Sequence, residues 1–186
     1  MRNTEDRIIA INPGSRYMGY AVLIGNEPYD WGIRSLTGQS FEERRNKLES
    51  FLSDLAESYS INSLAIKLLH PARSSPHLNR MVRFIKTWAA KGEIRIRCYS
   101  VKDIESVALG PGNLNKSKLM DAITSTYPFL CPDMDLGRSS QFQYLVRMFE
   151  AVGLGMRYLS DSERSKGREK VIGNYDRKKE EPDTGD

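Results

Sequence analysis

A chain of 186 residues that is 39% hydrophobic and 28% charged has room for one compact domain with a buried core, and too little for two of ordinary size. No apolar run approaches the roughly 20 residues needed to cross a bilayer, and the opening MRNTEDR lacks an apolar signal core, so a cytoplasmic protein is expected. The net charge of +4 is unevenly spread: residues 160–186 hold seven Lys/Arg against eight Asp/Glu, which leaves 21 against 16, or +5, in the first 159.

Three strands are expected first, at Arg7 to Asn12, Tyr17 to Ile24 and Tyr29 to Leu36. Pro-Gly-Ser and Gly-Asn-Glu-Pro punctuate them, which reads as an antiparallel meander. Ser40 with Glu43 forms a capping-box signature, and Phe41, Leu48, Phe51, Leu52 and Leu55 recur at helical spacing to about Tyr59. Ser63 to Leu69 is a buried-strand candidate containing one charge, Lys67, where a parallel strand covered on both faces should hold none. Ser75-Pro76 then caps a helix whose apolar positions Leu78, Met81, Val82, Ile85, Trp88 and Ala89 run to Gly92.

Glu93 to Tyr99 alternates Ile94, Ile96 and Cys98 with Arg95 and Arg97, as a half-buried strand does. A short helix capped by Ser100 and Asp103 stops at Gly110-Pro111-Gly112, and Asn115 to Tyr127 reads as another. A long helix follows from about Ser140 to Leu159. From Ser160 the chain is mostly charge, Ser and Gly, so residues 1–159 read as one domain and 160–186 as a disordered tail. Cys98 and Cys131 have no ligand spacing and read as reduced, partly buried thiols. Hairpin-linked strands followed by crossover helices give a mixed α/β class.

The run RIIAINPGS followed by Gly19-Tyr20-Ala21-Val22 resembles the first strand of the RuvC family of Holliday-junction nucleases, with weaker support from LAIKLL and FEAVGLG. The resemblance covers the element order of residues 7 to 159 and implies an RNase H-like fold: a mixed five-stranded sheet, its first three strands antiparallel, flanked by helices. Nucleases of that family hold two magnesium ions with four acidic groups, because cations about 4 Å apart need several carboxylates to hold them against a phosphate. Carried over one position at a time, those groups fall on Asn12, Lys67, Arg147 and Glu150, of which only Glu150 is acidic. A site of formal charge about −4 becomes roughly +1, which should repel magnesium. The expectation is a metal-free pseudo-active site with no cofactor, in which Arg147 and Glu150 pair at i, i+3 and Lys67 reaches toward Glu150.

Residues 67–97 carry eight Lys/Arg against the single acid Glu93, an electrostatic footprint for phosphate. With the resemblance, this nominates Arg73, Arg80, Arg83, Lys86, Lys116 and Lys118 for nucleic-acid binding, to branched or duplex DNA. The resemblance also implies a homodimer through the helix at 75–91, where Met81, Phe84 and Trp88 offer more apolar surface than one face buries. His70 and His77 read as loop histidines near phosphate or solvent, not metal ligands. Two other functions are compatible with the sequence. One is a magnesium-dependent junction nuclease with ligands relocated to Asp121, Asp133 or Asp135. The other is a structural subunit of a nucleoprotein assembly whose tail orders on a protein partner.

Overall fold

The computed structural model describes residues 5–109, 116–130 and 141–179. Its sheet has the order β3-β2-β1-β4-β5, with β1 at Arg7–Asn12, β2 at Tyr17–Ile24, β3 at Glu27–Ser35, β4 at Ser63–Lys67 and β5 at Arg95–Tyr99. The first three strands are antiparallel neighbours; β4 runs parallel to β1, and β5 parallel to β4. This is the mixed five-stranded arrangement that the family resemblance implied.

Side chains alternate across a strand, so the central strand β1 serves two cores at once. Ile9 and Ile11, with Val22, Leu64 and Ile66, face helices α1 (Phe41–Tyr59) and α2 (Pro76–Lys91). Ile8 and Ala10, with Ala21, Leu23 and Ala65, face α3 (Val101–Leu109), α4 (Lys116–Thr126) and α5 (Gln141–Lys179). Ile8 through Ile11 and Leu64 through Ile66 are wholly buried, which explains why β1 and β4 read as continuous apolar runs.

The expected caps are in place. Ser40 Oγ accepts from the Glu43 N–H at 3.0 Å, and Ser75 Oγ accepts from the Leu78 N–H at 3.2 Å. At α3 the Asp103 carboxylate accepts from the Ser100 hydroxyl and from its N–H, both at 2.7 Å, and these bonds hold the Asp103 carboxyl below its ordinary range. Cys98 departs from expectation: it is exposed, because β5 is an edge strand.

The last helix also departs from expectation. It does not end near Leu159 but runs to Lys179, through much of the segment read as a disordered tail. Ser162 supplies a physical reason for passing that point. Its hydroxyl donates to Asp6 at 2.6 Å, and Asp6, 5% exposed just ahead of β1, also holds Arg95 at 2.9 Å. Arg157 and Asp161 add an i, i+4 pair at 3.0 Å. Ser162→Ala is expected to cost about 1.5 kcal/mol, the scale of a hydrogen bond to a charged group, read as a lower urea midpoint at unchanged slope.

Candidate functional site

The site is built by strand parity. Asn12 shares the α5-facing side of β1 with Ile8 and Ala10, and Lys67 shares that side of β4 with Ala65. Since Ile11 lies opposite Ile66 in the parallel register, Asn12 and Lys67 are the next residues along their strands. Helix α5 crosses them with Glu150, which is on the buried stripe that continues through Leu154 and Tyr158.

Both groups converge on one oxygen. Lys67 Nζ donates to Glu150 Oε2 at 2.6 Å and Asn12 Nδ2 donates to the same oxygen at 2.5 Å. Asn12 is 2% exposed and Glu150 5%, so the carboxylate has exchanged water for an ammonium and an amide. An aspartate at position 12 would set a second carboxylate against Glu150 at contact distance; the amide turns that repulsion into a hydrogen bond. The Asn12 amide also reaches the Arg147 backbone carbonyl, at 3.4 Å.

Arg147 corrects an expectation. It does not pair with Glu150: its Nη1 donates to the Pro13 carbonyl at 3.4 Å, and among the described residues it makes no ion pair. The rotation of α5 that buries Glu150 against the sheet places Arg147 across the turn between β1 and β2. Gly14 in that turn has no room for a side chain, since a Cβ there would lie 2.2 Å from the Tyr17 carbonyl oxygen and 2.7 Å from Arg147 Nη1.

Gly19 is the site residue that sequence reading passed over. It pairs with Asn12 across β1 and β2, and a Cβ on it would lie 2.1 Å from the Arg147 carbonyl oxygen. Its hydrogen side chain lets the α5 backbone rest on β2 and brings Glu150 within reach of Asn12. Gly19→Ala is therefore expected to cost about 3 kcal/mol, because the obstacle is backbone and cannot rotate away; thermal unfolding would measure it. Gly153 and Gly155 do similar work lower on α5: Cβ atoms there would strike Ile104 at 2.8 Å and Leu23 at 2.2 Å.

Would the four family positions suit magnesium, which takes oxygen ligands and prefers carboxylates? They offer one carboxylate, already bound by two nitrogen donors, with one amide, one ammonium and one guanidinium. This donor set does not fit the ion. Among the described residues no three His, Cys, Asp or Glu side chains come together. Asp121 is exposed on α4, while Asp133 and Asp135 lie outside the described residues.

The nominated phosphate-binding residues fall on two surfaces. Arg80, Arg83 and Lys86 are on α2, on one face of the sheet, and Lys116 and Lys118 are exposed on α4, on the other. Arg73 ends a short 3-10 turn, Pro71–Arg73, between β4 and α2. Both helices start toward the end of the sheet where Asn12 lies. Helix α2 follows β4 after that short turn, and the far end of α4 is fixed by the Tyr127 hydroxyl, which donates at 2.6 Å to the Asn26 carbonyl between β2 and β3. Arg83 and Lys86 line a groove of about 540 Å³ with Val82, Ala90 and Ile96. Met81 is buried, and Phe84 and Trp88 pack on this chain's own core, the Trp88 Nε1–H donating to Ser53 at 3.3 Å. His70 Nδ1 accepts from the Ala72 N–H at 3.2 Å, and His77 lies within α2.

Among solved structures, Thermus thermophilus RuvC superposes with a TM-score of 0.65 at 11% identity, covering 84% of this chain and 96% of that one. The fold is that of RuvC. T. thermophilus RuvC in complex with Holliday junction substrate gives 0.64 at 10% identity, over 82% and 92% of the two chains. The yeast mitochondrial Holliday junction resolvase Ydc2 gives 0.58 at 13%, over 90% and 84%. At such identities the RuvC likeness carries the architecture and leaves the chemistry to the residues present. No family model and no curated protein sequence matches the chain. Among the described residues no helix is long and apolar enough to cross a membrane.

Proposed function

We propose that this protein binds branched DNA on a RuvC scaffold and does not carry out two-metal hydrolysis at the positions where that fold's nucleases place their acids. The observation that carries the reading is the Lys67 ammonium 2.6 Å from Glu150, the one carboxylate among those positions. A metal-dependent hydrolase needs that oxygen free and further carboxylates beside it. Here Lys67 and Asn12 do structurally what ions would do electrostatically: they neutralise Glu150 and tie β1 and β4 to α5.

Binding needs neither metal nor acid. Arginine and lysine neutralise backbone phosphates and release condensed counterions, giving affinity that falls steeply with salt and carries no sequence information. Arg80 and Arg83 on one face of the sheet and Lys116 and Lys118 on the other supply such contacts around the end where Asn12 lies, and Arg73 and Lys86 extend them. That a similar fold is known in complex with a Holliday junction supports a branched ligand over a linear one. A homodimer formed through α2 would rest on the mixed groove of Val82, Arg83, Lys86, Ala90 and Ile96, since Phe84 and Trp88 are engaged within the protomer.

Fluorescence anisotropy in EDTA, across a salt series, tests the reading with a four-way junction and a linear duplex of equal length. A preference for the junction with a steep negative slope against log salt is expected. Weak and equal binding to both would overturn it and turn attention to protein partners.

A further inference from the structure

The first turns of α1 and α2 meet at the end of the sheet that holds Asn12 and Lys67. Strand β3 runs the same way as β1, both being antiparallel to β2, so it delivers the chain to α1 at that end; β4, parallel to β1, does the same for α2. Between the two helices four side chains stand in a row. The Arg80 guanidinium lies 4.0 Å from the centre of the Phe41 ring, and the His77 imidazole stands edge-on to that ring at 5.5 Å. Arg44 Nη1 donates to His77 Nε2 at 3.2 Å; because a guanidinium has no acceptor, the imidazole nitrogen is the acceptor. Arg44 Nε donates to the Gly38 carbonyl at 3.0 Å, and a Cβ on Gly38 would lie 2.9 Å from Arg44 Cγ, so the loop before α1 rests on the arginine stem.

Two guanidiniums are thus held in place, and among the described residues neither forms an ion pair. The neighbouring acid, Glu43, is occupied by Lys47 Nζ at 2.7 Å and by the Gln39 N–H at 2.9 Å. Among the described residues Arg44 uses two of its five N–H groups in these bonds, which leaves three to donate. A rigid guanidinium fork suits the oxygens of a phosphate, and the positive ends of two helix dipoles add to the field there.

We propose that Arg44 and Arg80, seated on His77 and Phe41, form a clamp for a backbone phosphodiester of nucleic acid. The proposal rests on the nucleic-acid-binding reading and extends the interface from α2 to α1. Charge counting did not single out Arg44, because Glu42, Glu43 and Glu49 alone match Arg44, Arg45 and Lys47 in number.

Two measurements on the full chain test the clamp. The first follows the Arg44 Nε–Hε resonance by NMR during titration with inorganic phosphate, and a saturable shift is expected. The second measures duplex binding by anisotropy for Arg44→Gln, whose slope against log salt should fall by about 0.9, one phosphate contact. An Arg44 resonance unmoved by phosphate, or a variant that keeps the wild-type slope, would overturn the clamp and leave DNA binding elsewhere intact. Should the wild-type protein bind no duplex or junction while phosphate still shifts Arg44, the nucleic-acid clamp falls together with the branched-DNA reading, and only an anion site is left.

Discussion

Replacing Lys67 with alanine is expected to destabilise the protein by about 3–5 kcal/mol, the cost of leaving a buried charge without its partner. The Glu150 side chain is only 7% exposed and is held against the sheet by α5, so without the ammonium its charge keeps only the Asn12 amide as a partner among these groups. For a chain of this size the loss corresponds to a fall in Tm of roughly 6–20 °C. Glu150→Gln should cost less. The amide oxygen still accepts from Asn12, and Lys67, 17% exposed at the end of β4, can turn its ammonium outward. The ranking of the two variants in thermal melts checks the argument. Equal stability of Lys67→Ala and wild type would mean that the pair holds nothing together.

The second large effect is on binding. Arg80→Gln with Arg83→Gln is expected to weaken association with DNA and to reduce the slope of log affinity against log salt by about 1.8, two phosphate contacts. The loss should be similar for different sequences, since phosphate contacts position without reading bases. Arg80 is also stacked on Phe41, so part of its effect comes from releasing that ring. An unchanged slope would move the interface away from the start of α2.

How much of this was legible beforehand follows from which interactions are local. Strands and caps were readable because their signals sit within a few residues: Ser40 with Glu43, Ser75 before Pro76, Ser100 with Asp103. Asn12 and Lys67 were also found, one as a break in a familiar strand motif and the other as a charge in an apolar run. The partner of Arg147 was not, because pairing at i, i+3 with Glu150 looks equally available on any helix. What decides it is the rotation of α5 against the sheet, fixed in part by a contact between Gly19 and the Arg147 carbonyl that lies far apart in sequence. The continuation of α5 had the same origin: Ser162 is fastened by Asp6, 156 positions away. The charge run at 67–97 and the family resemblance together gathered Arg80, Arg83, Lys86, Lys116 and Lys118 into one set, and only the sheet divides them between its two faces.

One measurement bears most directly on a RuvC-fold protein whose acid is held by a lysine. A labelled four-way junction is incubated with excess protein in magnesium and, separately, in manganese, then resolved on native and denaturing gels. A retarded junction whose strands remain intact in both ions is the expected result. Nicking that requires the divalent ion and disappears in Glu150→Gln would contradict it, and would mean that Lys67 leaves the carboxylate when DNA arrives.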